Sequence, residues 1–229
     1  MTSPFDFFDR LYCIHLPREV DRERRVRSAF ESIGVAERIE FVAAAEPAEG
    51  ISLPQFGYHK EYSRGARGGV GCTSSHLKAL AHASSLGARN VLILEDDVEF
   101  TGEAAAGLAR ALTGLPIDWD LLYLGGRPFG GLEWATEGLA RTVGMSCTHA
   151  YALNGPAILP AFDALLDHLT HWACDQALAH FASEHRSYCV VPPVCHQAPG
   201  KSAIEGRTVD FTELTNDAWR RFTPASPTT

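Results

Sequence analysis

Short apolar runs alternate with helix-like segments along most of this chain. Runs rich in branched and aromatic side chains predict β-strands at residues 11–16, 39–44, 91–94, 120–124, 141–146, 149–153 and 188–191. Apolar positions spaced by three and four predict helices ending at Gly34 and Gly87, covering 103–112 and 175–182, beginning at Pro156, and lying in the tail after Lys201. This alternation predicts an α/β fold with a mainly parallel sheet. We expect the pair of strands at 141–146 and 149–153 to add a small antiparallel element.

Two stretches interrupt this pattern. Residues 47–69 are rich in glycine, proline and charge, which predicts a long irregular connection. Residues 68–76, GGVGCTSSH, predict a tight turn followed by a helix N-terminus, which either binds a phosphate through free N–H groups or is a plain capped turn. At the positive end of that helix, His76 is expected to be neutral. No linker divides the chain, so we expect one domain over residues 1–222 and a disordered tail at 223–229.

The third apolar run of the chain, at 91–94 within the stretch NVLILEDDVEF, ends in three acids. Its branched side chains suit a strand buried on both faces, and Glu95, Asp96 and Asp97 are then expected at the carboxyl end of that strand, where open α/β sheets place their ligands. Adjacent carboxylates repel one another, so Mg²⁺ or Mn²⁺ bridging to a diphosphate is one interpretation. A solvated acidic turn is the other.

Composition narrows the possible partners. The chain has 229 residues, 45% of them hydrophobic and 21% charged, with a net charge of -8, which argues against broad binding to nucleic acid or to anionic membranes. Five arginines near the start are interspersed with acids and predict a salt-bridged helix face, with one arginine reading a phosphate as the alternative. The set is Arg18, Arg22, Arg24, Arg25 and Arg27.

Six cysteines occur without any C-x-x-C pair, which predicts reduced and mostly buried thiols rather than a disulfide framework or a zinc site. The N-terminus lacks a signal-peptide pattern, and no apolar run approaches the roughly 18 residues of a membrane span. We therefore expect a cytoplasmic protein with at most peripheral membrane contact.

Four motifs in order resemble glycosyltransferase family 25, which includes bacterial lipooligosaccharide and collagen galactosyltransferases. They are Gly71-Cys72-x-x-Ser75-His76, Ile93-Leu94-Glu95-Asp96-Asp97-Val98, Tyr123-Leu124-Gly125 and His149-Ala150-Tyr151-x-Leu153. The opening LYCIHLPR to Arg22 also looks like the first strand and nucleotide-facing turn of that family, and the match runs from about residue 11 to residue 204. The resemblance implies a GT-A type nucleotide-binding sandwich. Its expected reaction moves a hexose, galactose or glucose, from a UDP-sugar to an acceptor hydroxyl with inversion, as in lipopolysaccharide biosynthesis.

The resemblance also implies site residues. Asp97 is the first choice as metal ligand, Glu95 also matches the acidic metal motif, and His196 is a candidate late ligand for Mn²⁺ or Mg²⁺. Glu95 or Asp96 would instead hold the ribose or a metal-bound water. The remaining donor-binding candidates are His15, Arg18, Arg22, Ser75 and His76. Two positions depart from the family pattern, since His15 replaces the usual Asn and Ala44-Ala45-Glu46 replaces an Asp-Gly strand ending.

The expected chemistry needs a cation to stabilise the departing diphosphate and a base to remove the acceptor proton. Asp175 matches a family acid and is our candidate base, with a helix N-cap as its alternative role and with His149 and Asp120 in reserve. The expected partners are a UDP-sugar and a glycan or another hydroxyl-bearing acceptor. Two rival functions remain: a sugar nucleotidyltransferase, for which we find no basic triphosphate loop near the first strand, and a catalytically silent sugar-nucleotide or carbohydrate-binding protein.

Overall fold

The computed structural model describes residues 3–46, 63–169, 172–202, 204 and 206–223. Two predictions fall mainly outside these ranges. The irregular connection is described only from residue 63 onward, and the predicted disordered tail only at Thr223.

The described residues form six α-helices. They are α1 Val20–Ser32, α2 Ser63–Ser85, α3 Ala104–Gly114, α4 Gly155–Asp167, α5 Cys174–Glu184 and α6 Thr212–Phe222. Each corresponds to a helix predicted from apolar spacing, with differences of a few residues at most ends. The start of α2 is the exception.

The strands alternate with these helices. They are β1 Arg10–His15, β2 Ile39–Ala43, β3 Asn90–Glu95, β4 Val98–Phe100, β5 Leu121–Tyr123, β6 Arg127–Pro128, β7 Glu133–Thr136, β8 Leu139–Arg141, β9 Met145–Ser146, β10 Ala150–Asn154, β11 Ser187–Val190, β12 Cys195–Gln197, β13 Gly200–Lys201 and β14 Thr208–Val209. Eight of them form one sheet in the order β2-β1-β3-β10-β5-β11-β8-β7.

This sheet is mixed but mostly parallel. β1 runs parallel to β2 and β3, and β5 runs parallel to β11, whereas β10 is antiparallel to both β3 and β5, and β8 is antiparallel to β11 and β7. Six of the eight strands therefore point the same way. The predicted α/β fold with a mainly parallel sheet is confirmed.

The predicted pairing of 141–146 with 149–153 is wrong. The first segment breaks between β8 and β9, where Thr142 Oγ1 and the Gly144 backbone hydrogen-bond each other in a turn. The second segment, β10, lies several strands away from β8, between β3 and β5. Antiparallel strands are present as expected, but each has other partners.

The sheet separates two apolar cores. Val91 and Ile93 of β3 pack into one core with α2, α4 and α5, while Leu92 and Leu94 pack into the other with α1 and α3. Successive side chains of a strand point to opposite faces, so a continuous apolar run is the pattern that burial on both faces requires. Burying one such side chain contributes about 1.5–3 kcal/mol. The β3 run therefore fixes the strand in the middle of the fold.

The predicted turn at the glycine-rich stretch is wrong, because α2 already begins at Ser63 and continues through Gly68, Gly69 and Gly71. Glycine inside a helix costs about 1 kcal/mol relative to alanine. A close approach explains one of them: a Cβ at Gly68 would lie 2.7 Å from Ile204 Cα. The glycine thus allows the segment at Ile204 to lie directly on the helix.

The last helix packs on the body of the fold, as predicted. Trp219 is buried, and its Nε1 donates a hydrogen bond to Gly126 O at 2.8 Å. Within the described part of the chain, none of the helices combines the length and the apolar character needed to span a bilayer.

Candidate active site

An open cleft with a cavity volume of about 210 Å³ lies at the carboxyl ends of β1 and β3. Because these parallel neighbours end at the same sheet edge, residues far apart in sequence meet there. Eight of the ten predicted site residues line the cleft. They are His15, Arg18, Arg22, Ser75, His76, Glu95, Asp96 and Asp97.

The three consecutive acids belong to two different groups of side chains. The first group, which we call the arginine side, consists of His15, Arg22, Asp96, Asp97 and Gln197. The second, the histidine side, consists of Cys72, His76, Glu95, Thr148 and Tyr151. Each side is described below from its contacts.

On the arginine side, one guanidinium bridges two carboxylates. Arg22, in the first turn of α1, places Nη2 2.6 Å from Asp96 Oδ1 and 2.7 Å from Asp97 Oδ2. His15, at the end of β1, holds Asp96 Oδ2 through Nδ1 at 2.7 Å. Gln197 Nε2 donates to Asp97 Oδ2 at 3.0 Å, because β12 pairs antiparallel with β4 just after the acids. Both oxygens of Asp96 are therefore engaged by protein groups.

Asp97 differs from its neighbour because its Oδ1 is buried without a hydrogen-bond partner among the described residues. Burial and the nearby Glu95 raise the pKa of Asp97 to about 7, against the opposing effect of Arg22. A buried carboxylate oxygen that lacks a partner is costly, and oxygen donors of this type suit Mg²⁺ or Mn²⁺. The residues thus fit a hard divalent cation, which Asp97 would hold.

On the histidine side, Glu95 accepts a hydrogen bond from Thr148 Oγ1 at 2.6 Å, and its Oε1 lies 3.4 Å from His76 Nε2. Tyr151 OH is 3.0 Å from His76 Nδ1. Burial alone would raise the pKa of Glu95, but His76 and Thr148 outweigh it and lower this pKa to about 2. Glu95 is therefore held ionised by a local partner set.

The predicted neutrality of His76 is wrong. Burial disfavours its charged form, yet interactions with Cys72 and Glu95 outweigh burial and raise the pKa of His76 to about 9. The prediction assumed a helix N-terminus at this residue. Because α2 begins at Ser63, His76 lies in mid-helix, where the helix dipole has no strong end effect.

Two other predicted donor-binding residues make protein contacts at the cleft. Ser75 Oγ donates to Gly71 O at 2.6 Å and accepts from Ala45 N at 2.8 Å, so it ties α2 to the end of β2. Arg18 pairs with Glu46 and is about half exposed at the cleft. Arg18 is therefore the more accessible of the two for a ligand.

Two predicted residues lie outside the cleft lining. His196 pairs with Glu99 on the surface at 3.2 Å. Because successive side chains of a strand point to opposite faces, His196 and Gln197 lie on different sides of β12. Asp175 lies in the first turn of α5, where its Oδ2 accepts from Cys147 N at 3.1 Å and burial raises its pKa. The alternative role of Asp175 as a helix N-cap is wrong, because Ala173 is the N-cap of α5, and the contact of Asp175 instead links the helix to Cys147.

The two reserve candidates for the base lie elsewhere. His149 is buried, and burial lowers its pKa to about 4. Asp120 binds Arg186 just before β5, so it lies at the amino end of that strand, on the sheet edge opposite to the cleft.

Sequence reasoning missed the roles of Thr148 and Gln197. Thr148 reaches Glu95 because β10 lies beside β3, with Ala150 opposite Leu94. That register cannot be read from either strand alone. Gln197 lies within the range of the family resemblance, but its contact with Asp97 depends on the β12–β4 pairing.

An α/β sheet with acidic residues at the end of a strand, facing an open cleft, is typical of the class of proteins that bind ligands at the carboxyl ends of their strands. The family model for "Glycosyltransferase family 25 (LPS biosynthesis protein)" matches residues 8–125. This chain belongs to glycosyltransferase family 25.

Two curated relatives carry the same family name. A "Glycosyltransferase 25 family member" of Drosophila pseudoobscura pseudoobscura is 31% identical over 131 residues, covering 51% of this chain and 20% of that protein. A "Probable inactive glycosyltransferase 25 family member 3" of Bos taurus is 27% identical over 163 residues, covering 64% of this chain and 27% of that protein. The chain thus spans about a fifth to a quarter of the length of these relatives.

A solved structure of UDP-glucose pyrophosphorylase complexed with UDP-glucose is similar over 93% of this chain and 81% of that chain. The TM-score is 0.44 and the sequence identity is 11%.

Proposed function

We propose that this protein transfers a hexose, galactose or glucose, from a UDP-sugar to a hydroxyl of a glycan acceptor, with inversion and with Mn²⁺ or Mg²⁺. The observation that carries the proposal is Asp97 Oδ1, a buried acceptor that has no hydrogen-bond partner among the described residues and belongs to a side chain lining the open cleft. Family membership supports glycosyl transfer as the reaction class.

Several side chains of the cleft contribute to binding a nucleotide diphosphate. A divalent cation, when bound, supplies positive charge beside the leaving group. Arg22 lies 2.7 Å from Asp97 and brings a second, permanent positive charge to the same place. Arg18, at the half-exposed cleft wall, is free to turn from Glu46 toward a phosphate. Together these groups stabilise negative charge as it develops on the diphosphate.

Removal of the proton from the acceptor hydroxyl requires a base, and the contacts within the cleft do not identify which residue this is. Asp175 remains our candidate, because burial raises its pKa toward the neutral range in which a base works well. Its engagement with Cys147 N means that a local rearrangement must precede that role. An Asp175→Asn variant separates the two roles: turnover is lost if Asp175 is the base, while mainly stability changes if Asp175 only holds Cys147 N.

The test is a screen of UDP-sugars with the purified chain. Released UDP is measured with Mn²⁺, with Mg²⁺ and with EDTA, and the melting temperature is recorded in parallel with UDP and each metal. We expect metal-dependent UDP release from one hexose donor and a UDP-dependent rise in melting temperature. Absence of both effects with every common donor would overturn the proposal.

A silent binding protein of the same fold is the second candidate, and one observation favours it. Arg22 already occupies the space between Asp96 and Asp97, where it neutralises the acids without a metal. In that case UDP would raise the melting temperature without Mn²⁺, and no donor would release UDP. The same screen therefore distinguishes the two candidates.

A further inference from the structure

Three metal-ligating side chains meet in the wall of the cleft, away from Asp97. Cys72 and His76 lie one turn apart on the same face of α2, and Cys174 is the first residue of α5. One ligand atom from each residue lies within 4.8 Å of the other two. His76 and Cys174 are buried and Cys72 is half-buried. No C-x-x-C motif signals this cluster, because a helix packing contact brings the second cysteine in.

The separations suit a small thiophilic ion. Zinc binds sulfur at about 2.3 Å and imidazole nitrogen at about 2.0–2.1 Å, so tetrahedral ligand atoms lie about 3.4–3.8 Å apart. The three donor atoms need to move by no more than about 1 Å to reach such distances. An oxygen is also at hand, since Glu95 Oε1 lies 3.4 Å from His76 Nε2.

A second observation points to a ligand at this place. His76 is fully buried, and its Nε2 makes no hydrogen bond to the described residues, since Glu95 Oε1 at 3.4 Å is an ion-pair contact only. Its other ring nitrogen is held by Tyr151 OH at 3.0 Å, which fixes the orientation of the ring. Metal-binding histidines use this arrangement, in which one nitrogen is held by a protein group and the other faces the ion.

We propose that Cys72, His76 and Cys174 bind a thiophilic divalent cation such as Zn²⁺, with Glu95 or a water in the fourth position. This site is separate from the oxygen-donor site at Asp97, because thiolate and imidazole select softer ions than carboxylates do. The proposal goes beyond glycosyl transfer and does not depend on it. It also replaces the prediction from cysteine spacing that the chain has no zinc site.

Binding at this site would change the cleft. The ion would link α2 to α5 and would take the Nε2 lone pair of His76, so that the ion pair between His76 and Glu95 would end. Cys72 and His76 both line the cleft, so the ion would lie in its wall. Occupancy would therefore alter the histidine side of the cleft.

The test uses the untagged, reduced full chain, stripped with EDTA and titrated with Co²⁺ under anaerobic conditions. We expect a thiolate-to-cobalt charge-transfer band and visible bands of tetrahedral cobalt, saturating at one ion per chain and displaced by Zn²⁺. Cys72→Ser and Cys174→Ser should each lose about half of the charge-transfer intensity, because each removes one of two thiolates. His76→Gln should keep the sulfur band but weaken binding at least about tenfold.

Two controls define the site. Cys195→Ala removes a buried cysteine that packs in the other core, and Asp97→Asn removes the proposed hard-ion ligand; both variants should keep the full band. On the wild type, Zn²⁺ should slow alkylation of Cys72 and Cys174, which mass spectrometry measures without any substitution. Absence of the charge-transfer band, or its persistence in the Cys72→Ser/Cys174→Ser double variant, would overturn the proposal, as would unchanged alkylation rates.

Discussion

The arginine side and the histidine side of the cleft begin at neighbouring acids but neutralise them differently. Glu95 has its own cation in His76 and a pKa lowered to about 2, whereas Asp97 shares Arg22 with Asp96 and has a pKa raised to about 7. The residues are two positions apart in the chain. The difference therefore comes from the partners that the fold supplies, since the carboxyl groups have similar ordinary pKa values.

The comparison shows which side of the cleft has fewer positive charges than carboxylates. On the histidine side one carboxylate faces one imidazole. On the arginine side, the ion pairs found in the described ranges give two carboxylates a single guanidinium, with His15 as a further hydrogen-bonding partner of Asp96. A hard cation would thus be bound more favourably at Asp97 than at Glu95. Four predictions follow from this difference, in order of decreasing effect.

The largest effect is expected from Asp97→Asn. UDP release should fall at least about 100-fold, because the group that holds charge beside the diphosphate is lost. The folding stability of the variant should instead increase. The pKa of Asp97 is raised above its ordinary value of 3.8 to about 7, so ionised Asp97 destabilises the fold progressively as the pH rises from 3.8 through 7. The variant should therefore melt higher than the wild type at pH 8 and equally at pH 3.5.

Glu95→Gln is the matched control, and its stability effect has the opposite sign. The pKa of Glu95 is lowered from 4.5 to about 2, so its stabilisation is present above pH 4.5 and is lost as the pH falls through 2. The Gln variant should melt lower than the wild type at pH 7. Shifts of the same sign in both variants would contradict the distinction between the two sides.

The second prediction concerns Arg22→Gln. Removing the guanidinium leaves Asp96 and Asp97 facing each other with little exposure, which should cost about 3 kcal/mol of unfolding free energy. Mn²⁺ should restore part of this loss by taking over the charge. Denaturant unfolding with Mn²⁺ and with EDTA measures both effects.

Arg24→Gln controls for the loss of a charge from the same helix, since Arg24 is exposed and its ion pair in the described part of the chain is with Asp21. It should change stability by less than about 0.5 kcal/mol. An Arg22→Gln variant that behaves like Arg24→Gln, or that Mn²⁺ does not stabilise further, would show that this guanidinium does not occupy the position of a cation.

The third prediction is a pH dependence on the histidine side. The pKa of His76 is raised from 6.5 to about 9, so its stabilisation is complete below pH 6.5 and is lost as the pH rises through 9. In EDTA, His76→Gln should lower the unfolding free energy by about 1–2 kcal/mol at pH 6, and the difference should shrink toward pH 10. Parallel stability curves between pH 6 and 10 would count against a charged His76.

The smallest effects compare neighbours on β12. Gln197→Ala removes a hydrogen bond to Asp97 and should cost about 1 kcal/mol, with a weaker Mn²⁺-dependent shift in melting temperature. His196→Ala removes a surface pair with Glu99 and should stay within about 0.5 kcal/mol, with the Mn²⁺ shift unchanged. Loss of that shift in His196→Ala would instead restore His196 as a metal ligand.

The sequence predicted those parts of the site that depend on one strand and its neighbouring turn. The β3 run is apolar because both of its faces are buried. The acids follow it at the carboxyl end of the strand, as expected for the edge where such sheets place their ligands. His15 and Arg22 were expected near the nucleotide from the family resemblance, and they lie at this edge because β1 and β3 are parallel and end together.

The rest depended on contacts between distant segments. The bond from Thr148 to Glu95 requires β10 to lie beside β3, and Cys174 reaches Cys72 through helix packing. Local patterns carry no signal for either contact. The glycines before Cys72 misled the prediction because a residue that allows a turn also allows close packing, as Gly68 does against Ile204.

The position of β10 in the sheet affects how the chain folds during synthesis. This strand lies between β3 and β5 although it follows both in the chain. In a nascent or truncated chain that stops after β5, β3 has an unpaired edge and β5 lacks both of its neighbours, β10 and β11, so these strands can pair with strands of other molecules. Fragments that stop near the end of the family match should therefore aggregate, while in fragments extended past residue 154 β10 can pair with both β3 and β5.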